Sequence, residues 1–138
     1  MNSSYELEII PGTRIGKFHL GWELNELIKH LDFEYTIEHY QDQDTTLIKS
    51  NDFWFTLDKT KGLHTIYASG NFKGKYNNLI GLGTVLAQIH GVSFEVDEEF
   101  LQDTMWWRFK LTNVTGIHFV PEKEWDDTTP IRSIHVFY

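Results

Sequence analysis

The chain aligns with itself. Placing Phe53-Trp54-Phe55-Thr56-Leu57 over Trp107-Arg108-Phe109-Lys110-Leu111 and continuing without a gap sets Phe55 on Phe109 and Leu57 on Leu111. Gly62 then meets Gly116, Leu63 meets Ile117, His64 meets His118 and Ile66 meets Val120. Upstream, each copy opens on Gly-Lys-aromatic, as Gly16-Lys17-Phe18 and Gly74-Lys75-Tyr76, and continues into a short apolar helical pattern. A small supersecondary unit cannot bury its apolar side alone, so two copies must share one core. At 138 residues the length fits one domain, 1–138, with pseudo-repeat halves of about 12–68 and 74–138. A chain of this size buries roughly 65–70% of the surface its unfolded form exposes and needs no covalent staple.

Apolar periodicity places the elements. Leu7, Ile9 and Ile10 predict a short first strand, ended by the turn pair Pro11-Gly12. Leu24, Leu27, Ile28 and Leu31 fall at i, i+3, i+4 and i+7, which predicts a helix over 23–31. Phe33, Tyr35 and Ile37 alternate as a strand that runs into a polar loop, and 45–50 reads as another strand. Phe53, Phe55 and Leu57 alternate with Trp54, Thr56 and Asp58, and 63–68 supplies the partner strand of a hairpin. Ser69-Gly70-Asn71 begins a linker between the halves. A second helix is expected over 84–90, with Gly91 as its C-terminal cap. Val92, Phe94 and Val96 form a strand, and 105–111 with 116–120 repeat the hairpin. From Ile131 to Tyr138 both phases carry apolar residues, so the last strand is expected in a central, covered position. Helix followed by antiparallel strands, twice over, predicts an α+β fold with the helices packed on one face of the sheet.

Composition excludes several kinds of chemistry. The chain has no cysteine, which removes disulfides and thiolate catalysis and fits a reducing cytoplasm. The first residues lack a basic, then apolar, secretory pattern, and no apolar run approaches the roughly 18 residues of a membrane span. A net charge of −8 argues against nucleic acid or a membrane as partner, because phosphate binding rests on lysine and arginine. The acids come in runs. Asp32, Glu34, Glu38, Asp42 and Asp44 form one, and Glu95, Asp97, Glu98, Glu99 and Asp103 a second. Glu122, Glu124, Asp126 and Asp127 form a third. A run of like charge is ordinarily a solvated face. Three such runs beside Tyr40, Trp106, Trp107 and Trp125 point to a basic protein partner.

No catalytic motif accompanies them. The seven histidines show neither the HExxH spacing of a zinc helix nor a cysteine pair, and the repeat accounts for both His64 and His118. No metal and no cofactor is therefore expected. Gly70-Asn71-Phe72-Lys73-Gly74-Lys75-Tyr76 is one residue short of a phosphate loop and ends on Tyr where a Ser or Thr is needed for Mg²⁺. Gly81-Leu82-Gly83 is too short for a dinucleotide fingerprint. Acid–base catalysis needs a desolvated carboxyl, and nothing in the pattern buries one, so the chain does not read as an enzyme.

The segment from Ile15 to Leu27, with its step Gly16-Lys17-Phe18-His19-Leu20-Gly21, resembles the opening of small bacterial immunity proteins: a G-x-x-x-L-G step before a short helix carrying Glu and Leu. The tandem helix-plus-sheet order is similar to the beta-lactamase-inhibitor-protein architecture, in which two like halves present a surface that plugs an enzyme. The second copy departs from this, since Leu79-Ile80-Gly81-Leu82-Gly83 needs a one-residue shift. Inhibitors of that architecture are typically secreted and disulfide-bonded, whereas this sequence shows no secretory pattern and no cysteine. The resemblance implies occlusion of a partner without chemistry. Combined with the charge pattern, it predicts a cytoplasmic immunity protein, monomeric or homodimeric, that masks a basic toxin domain such as a nuclease. The contact residues expected are Tyr40, Asp42 and Asp44 in one loop, Asp97, Glu98, Glu99 and Asp103 in a second, and Trp125, Asp126 and Asp127 in a third. The alternative is a small-molecule or carbohydrate-binding module using exposed tryptophans.

Overall fold

The computed structural model describes residues 7–40, 44–77, 79–85, 94–96, 109–121 and 130–138. They form thirteen strands and one helix. β1 (Ile9–Ile10), β2 (Arg14–Ile15) and β3 (Phe18–His19) make a small antiparallel sheet, and α1 (Leu24–Lys29) follows. β4 (Thr36–Tyr40), β5 (Thr45–Lys49), β6 (Phe53–Asp58) and β7 (Gly62–Ala68) form a meander. β8 (Lys75–Tyr76) pairs with β9 (Ile80–Gly81), where the sequence reads as a linker. β10 (Phe94–Val96), β11 (Phe109–Leu111), β12 (Ile117–Pro121) and β13 (Ile131–Phe137) form a second meander. The two meanders join through β7 and β13 into one antiparallel sheet of eight strands, ordered β10-β11-β12-β13-β7-β6-β5-β4.

This overturns the α+β expectation. Among the described residues the only helix is six residues long, and it is flanked by strands on both sides. Glu23 precedes it without a side-chain cap, and His30 follows it. The predicted second helix fails at its start. Val85 sits in an antiparallel bridge with Pro130, and Thr84 O accepts from Ile131 N. The rest of that stretch, 86–90, lies outside the described residues. Among the described residues the 3.6-residue spacing forms a helix only at Leu24–Lys29. Elsewhere the aromatic and β-branched alternation dominates, and such side chains suit a pleated, half-buried surface.

The repeat alignment also needs correction. The gapless match lays β6 on β11 and β7 on β12, one strand out of step with the sheet. The paired backbone gives a different correspondence. Gly21 N donates to Leu63 O and Leu63 N to Trp22 O; likewise Gly83 N donates to Ile131 O and Ile131 N to Thr84 O. Ile66 pairs with Val136 and Ala68 with Ile134, while Tyr67 and His135 face each other at the centre. Phe55 stands against Ile66 as Phe119 stands against Ile134. The register slips opposite Thr56–Leu57 and opposite Val120–Pro121, so β7 at His64 and β13 at Arg132 carry an extra residue at matching places. β7 thus corresponds to β13, and β6 to β12. What the halves share is a strand order and a set of backbone bonds.

One face of the sheet carries the core. Ile48, Phe55, Leu63, Ile66, Phe119, Ile134 and Val136 are fully buried there, covered by Ile9, Ile15, Phe18 and Leu27. Phe18 joins the layers, with its ring 4.9 Å from Phe55 and 5.3 Å from Phe53, both edge-on. β13 takes the central place that its two apolar phases predict. No described helix is long and apolar enough to cross a membrane.

Candidate functional site

The other face of β4 to β7 is set by strand phase. Because side chains alternate with a period of two, the residues opposite the core phase form rows across the strands. One row runs Thr36, Lys49, Trp54, Tyr67, His135 and His118, each paired with the next. The next row runs Glu38, Leu47, Thr56 and Thr65. The end of the face at β4 and β6 is open, with Tyr40 45% and Trp54 41% exposed, whereas His118 at the other end of its row is buried.

A bonded chain crosses the open end. The Tyr40 hydroxyl donates to Glu38 Oε2 at 2.9 Å, and Lys49 Nζ lies 3.1 Å from the same oxygen. The Lys49 ammonium also sits 4.7 Å from the Trp54 ring centre, a cation–π contact. The bond from Lys49, then that from Tyr40, holds the Glu38 carboxyl below its ordinary range, and the bond to Glu38 raises the Tyr40 phenol. Glu38 therefore stays ionised with its charge matched by Lys49. The two aromatic rings are oriented and remain accessible, which is the arrangement of an anchor for a partner.

Of the expected contact residues, Tyr40 and Asp44 are described, and the structure brings them together. Both line a groove of about 890 Å³ between the start of α1, the β4–β5 end and the β6–β7 turn. Asp44 faces Lys59 there at 3.4 Å. Asp42, Asp97, Glu98, Glu99, Asp103, Trp125, Asp126 and Asp127 lie outside the described residues. Trp54 was not among the expected contacts. The signal for it was present, because it is an aromatic on the polar phase of β6.

The acids cluster in sequence: 97–103 holds four with no lysine or arginine, and 122–127 holds four beside Lys123. In the body itself, Arg14, Lys17, Lys29, Lys49 and Lys59 each pair with a carboxylate. The ends that carry the acidic stretches follow from topology. β10 and β12 run the same way, so the attachment points of 97–108 and 122–129 share one end of the sheet. The 41–43 connection leaves from the opposite end.

Among the described histidines, His19 and His30 pack around Trp22. Trp22 stacks on His30 at 4.5 Å and meets His19 at 5.3 Å, and His30 Nδ1 lies 3.0 Å from Glu26 O. Among the described residues no three His, Asp or Glu side chains are grouped to hold a metal. Burial, then Arg14 and His30, lowers the His19 pKa; burial lowers that of His64 against the pull of Asp58. A histidine whose folded pKa is depressed binds its proton more readily when unfolded. Its contribution is complete above the unfolded value of about 6.5 and is lost as pH falls through the depressed one. The urea midpoint is therefore expected to drop between pH 7.5 and 5.5, and the pair His19→Gln and His64→Gln should flatten that drop. An undiminished drop in the double variant would move its origin elsewhere. No protein-family model matches the chain, and no curated protein and no solved structure matches it.

Proposed function

We propose that this chain is an immunity or inhibitor protein that binds a basic toxin domain, such as a nuclease, and occludes it without chemistry of its own. The observation that carries the reading is the clustering of acids. Residues 97–103 and 122–127 hold eight carboxylates against one lysine, and they follow β10 and β12, whose C-terminal ends share one end of the eight-stranded sheet. A nuclease surface must be positive to hold phosphate, so clustered carboxylates compete for it by charge and speed encounter. Tyr40 and Trp54 supply apolar anchors beside the acidic run from Asp32 to Asp44. A cytoplasmic setting goes with this reading. The second reading, a carbohydrate or small-molecule module, rests on the exposed Trp54 ring.

Affinity capture from cells that express the neighbouring gene should retain one stoichiometric basic protein whose activity is lost in the complex. Reversing Asp97, Glu98 and Glu99 together with Asp126 and Asp127 to lysine should then weaken binding more than about tenfold, chiefly through association rate, with a reduced salt dependence. Unchanged affinity would remove those residues from the interface. If ligand binding instead quenches tryptophan fluorescence and ignores salt, the module reading replaces the inhibitor.

A further inference from the structure

We propose, as an inference that rests on the inhibitor reading, that the free edge of β4 captures an extended segment of the partner as a ninth strand, a segment that alternates basic with apolar residues. β4 ends the order of the eight-stranded sheet. It pairs with β5 from Thr36–Lys49 to Tyr40–Thr45 without a slip. In an antiparallel ladder only alternate residues bond a given neighbour, so the others turn N–H and C=O outward. No other backbone bond reaches Thr36 to Tyr40 from a described residue. Such an edge is a template for another strand unless it is blunted. β4 has no proline, glycine, lysine or bulge. Main-chain bonds to an added strand supply affinity, and its alternate side chains supply specificity.

The two phases of β4 specify the occupant. Ile37 pairs with buried Ile48, so it lies on the core side, and at the end of the sheet it is left 38% exposed. An apolar side chain on an added strand would cover it. Thr36, Glu38 and Tyr40 lie on the open side. The bonds to Glu38 from Tyr40 and from Lys49 both fall on Oε2. No described group bonds Oε1, which leaves that oxygen for a second cation. A groove of about 710 Å³ beside the start of β4 includes Glu34, Thr36 and Trp54, and no described cation pairs with Glu34.

A second copy of this chain does not match the edge. Residues 32–44 hold Asp32, Glu34, Glu38, Asp42 and Asp44 and no lysine or arginine, so no antiparallel self-pairing of this segment sets a cation opposite an acid. The register centred on Glu38 sets two Glu38 side chains against each other, and like charges directly opposite destabilise a ladder. Lys17, Lys49 and Lys59 reach Asp32, Glu38 and Asp44 from other elements. Exposed pairs of this kind are worth little and exchange readily for the cations of a partner.

The test is hydrogen exchange of the β4 amides, with calorimetric titration, using a nine-residue synthetic peptide that alternates lysine with valine. A peptide of the same composition, with its lysines and valines in two blocks, is the comparison. The alternating peptide is expected to bind saturably, one to one, and to slow exchange in β4 at least tenfold while β7 is unchanged. The blocked peptide should bind at least tenfold more weakly. Ile37→Lys, which sets a charge on the core side of the edge, and Glu38→Lys should each weaken the alternating peptide at least tenfold, while Glu26→Lys on α1 leaves it unchanged. Absence of saturation, equal binding of the two peptides, or protection elsewhere than in β4 overturns the proposal. Protection of β4 that grows with protein concentration and without peptide also overturns it, in favour of a second copy. The peptide titration needs no toxin. If no basic protein is captured from cells, the inhibitor reading fails while the edge still takes the peptide. If a captured toxin leaves β4 exchanging at its free rate, strand capture fails and the inhibitor reading stands.

Discussion

Phe119→Ala is expected to remove about 3–5 kcal/mol of stability, the range for truncating a fully buried phenylalanine. Phe119 is completely buried in β12, between Phe109 on β11 and Ile134 on β13. Phe55→Ala should cost a similar amount, because Phe55 occupies the corresponding place between Ile48 and Ile66. Alanine leaves a cavity that strands held on both sides cannot close. The neighbour of Phe55 in sequence is the control. Trp54 points to the open face at 41% exposure, so Trp54→Ala should stay within about 1 kcal/mol of the parent. Urea denaturation of the three variants checks the strand phase directly. If Trp54→Ala cost as much as Phe55→Ala, the face assigned to binding would be a packed interior.

Strand phase was readable from sequence because it is local. Phe53-Trp54-Phe55-Thr56-Leu57 declares its buried and open sides by itself, and the two apolar phases of Ile131 to Phe137 announce a central strand. The correspondence of the halves was not readable, and one residue shows why. In sequence, β6 and the stretch that ends in β11 both read aromatic-x-Phe-x-Leu, as Phe53-x-Phe55-x-Leu57 and Trp107-x-Phe109-x-Leu111, so they align best by letter. The structural counterpart of β6 is β12, Ile117-x-Phe119-x-Pro121, where Pro121 sits beyond a register slip. Proline is tolerated at such a bulge because a ladder amide is not required there. A strand repeats every two residues, so letters alone cannot choose between neighbouring strands that share a phase. Only the pairing of Tyr67 with His135 makes the choice.

The helix was overcounted for a related reason. Val85, Leu86 and Ile89 have helical spacing, but at the expected start Gly83 N donates to Ile131 O and Ile131 N to Thr84 O, and this pairing with β13 prevails there over a weak local preference. At the candidate site, composition located the acidic stretches and missed Trp54. Runs of charge are visible in a string of letters, whereas an aromatic on the open phase of a strand matters only once the opposite face is known to be the core. The Glu38–Lys49 pair was invisible for the same reason, since its partners come together only through the β4–β5 register.

Gly116→Ala should be among the most damaging single substitutions outside the apolar core, costing roughly 3–6 kcal/mol from two sources that add. The first is backbone strain, because Gly116 holds φ at +87°, a conformation that a Cβ disfavours. The second is collision. A Cβ there would stand 2.7 Å from Gly12 Cα and 3.0 Å from Phe137 O, both backbone atoms that cannot swing away. Gly116 O also accepts from Gly12 N and from Phe137 N, each at 3.1 Å, so the residue ties the β1–β2 turn to the ends of β12 and β13. Gly83→Ala separates the two sources. Gly83 has φ at +84°, yet a Cβ there meets nothing within 4 Å, so it should lose only the strain, about 1–3 kcal/mol. Thermal melts of the two variants measure the difference. A larger loss for Gly83→Ala would mean that the close approach of the β1–β2 turn to β12 does not hold in solution. The expected order makes that approach the seam through which the small three-stranded sheet is fixed to the large one.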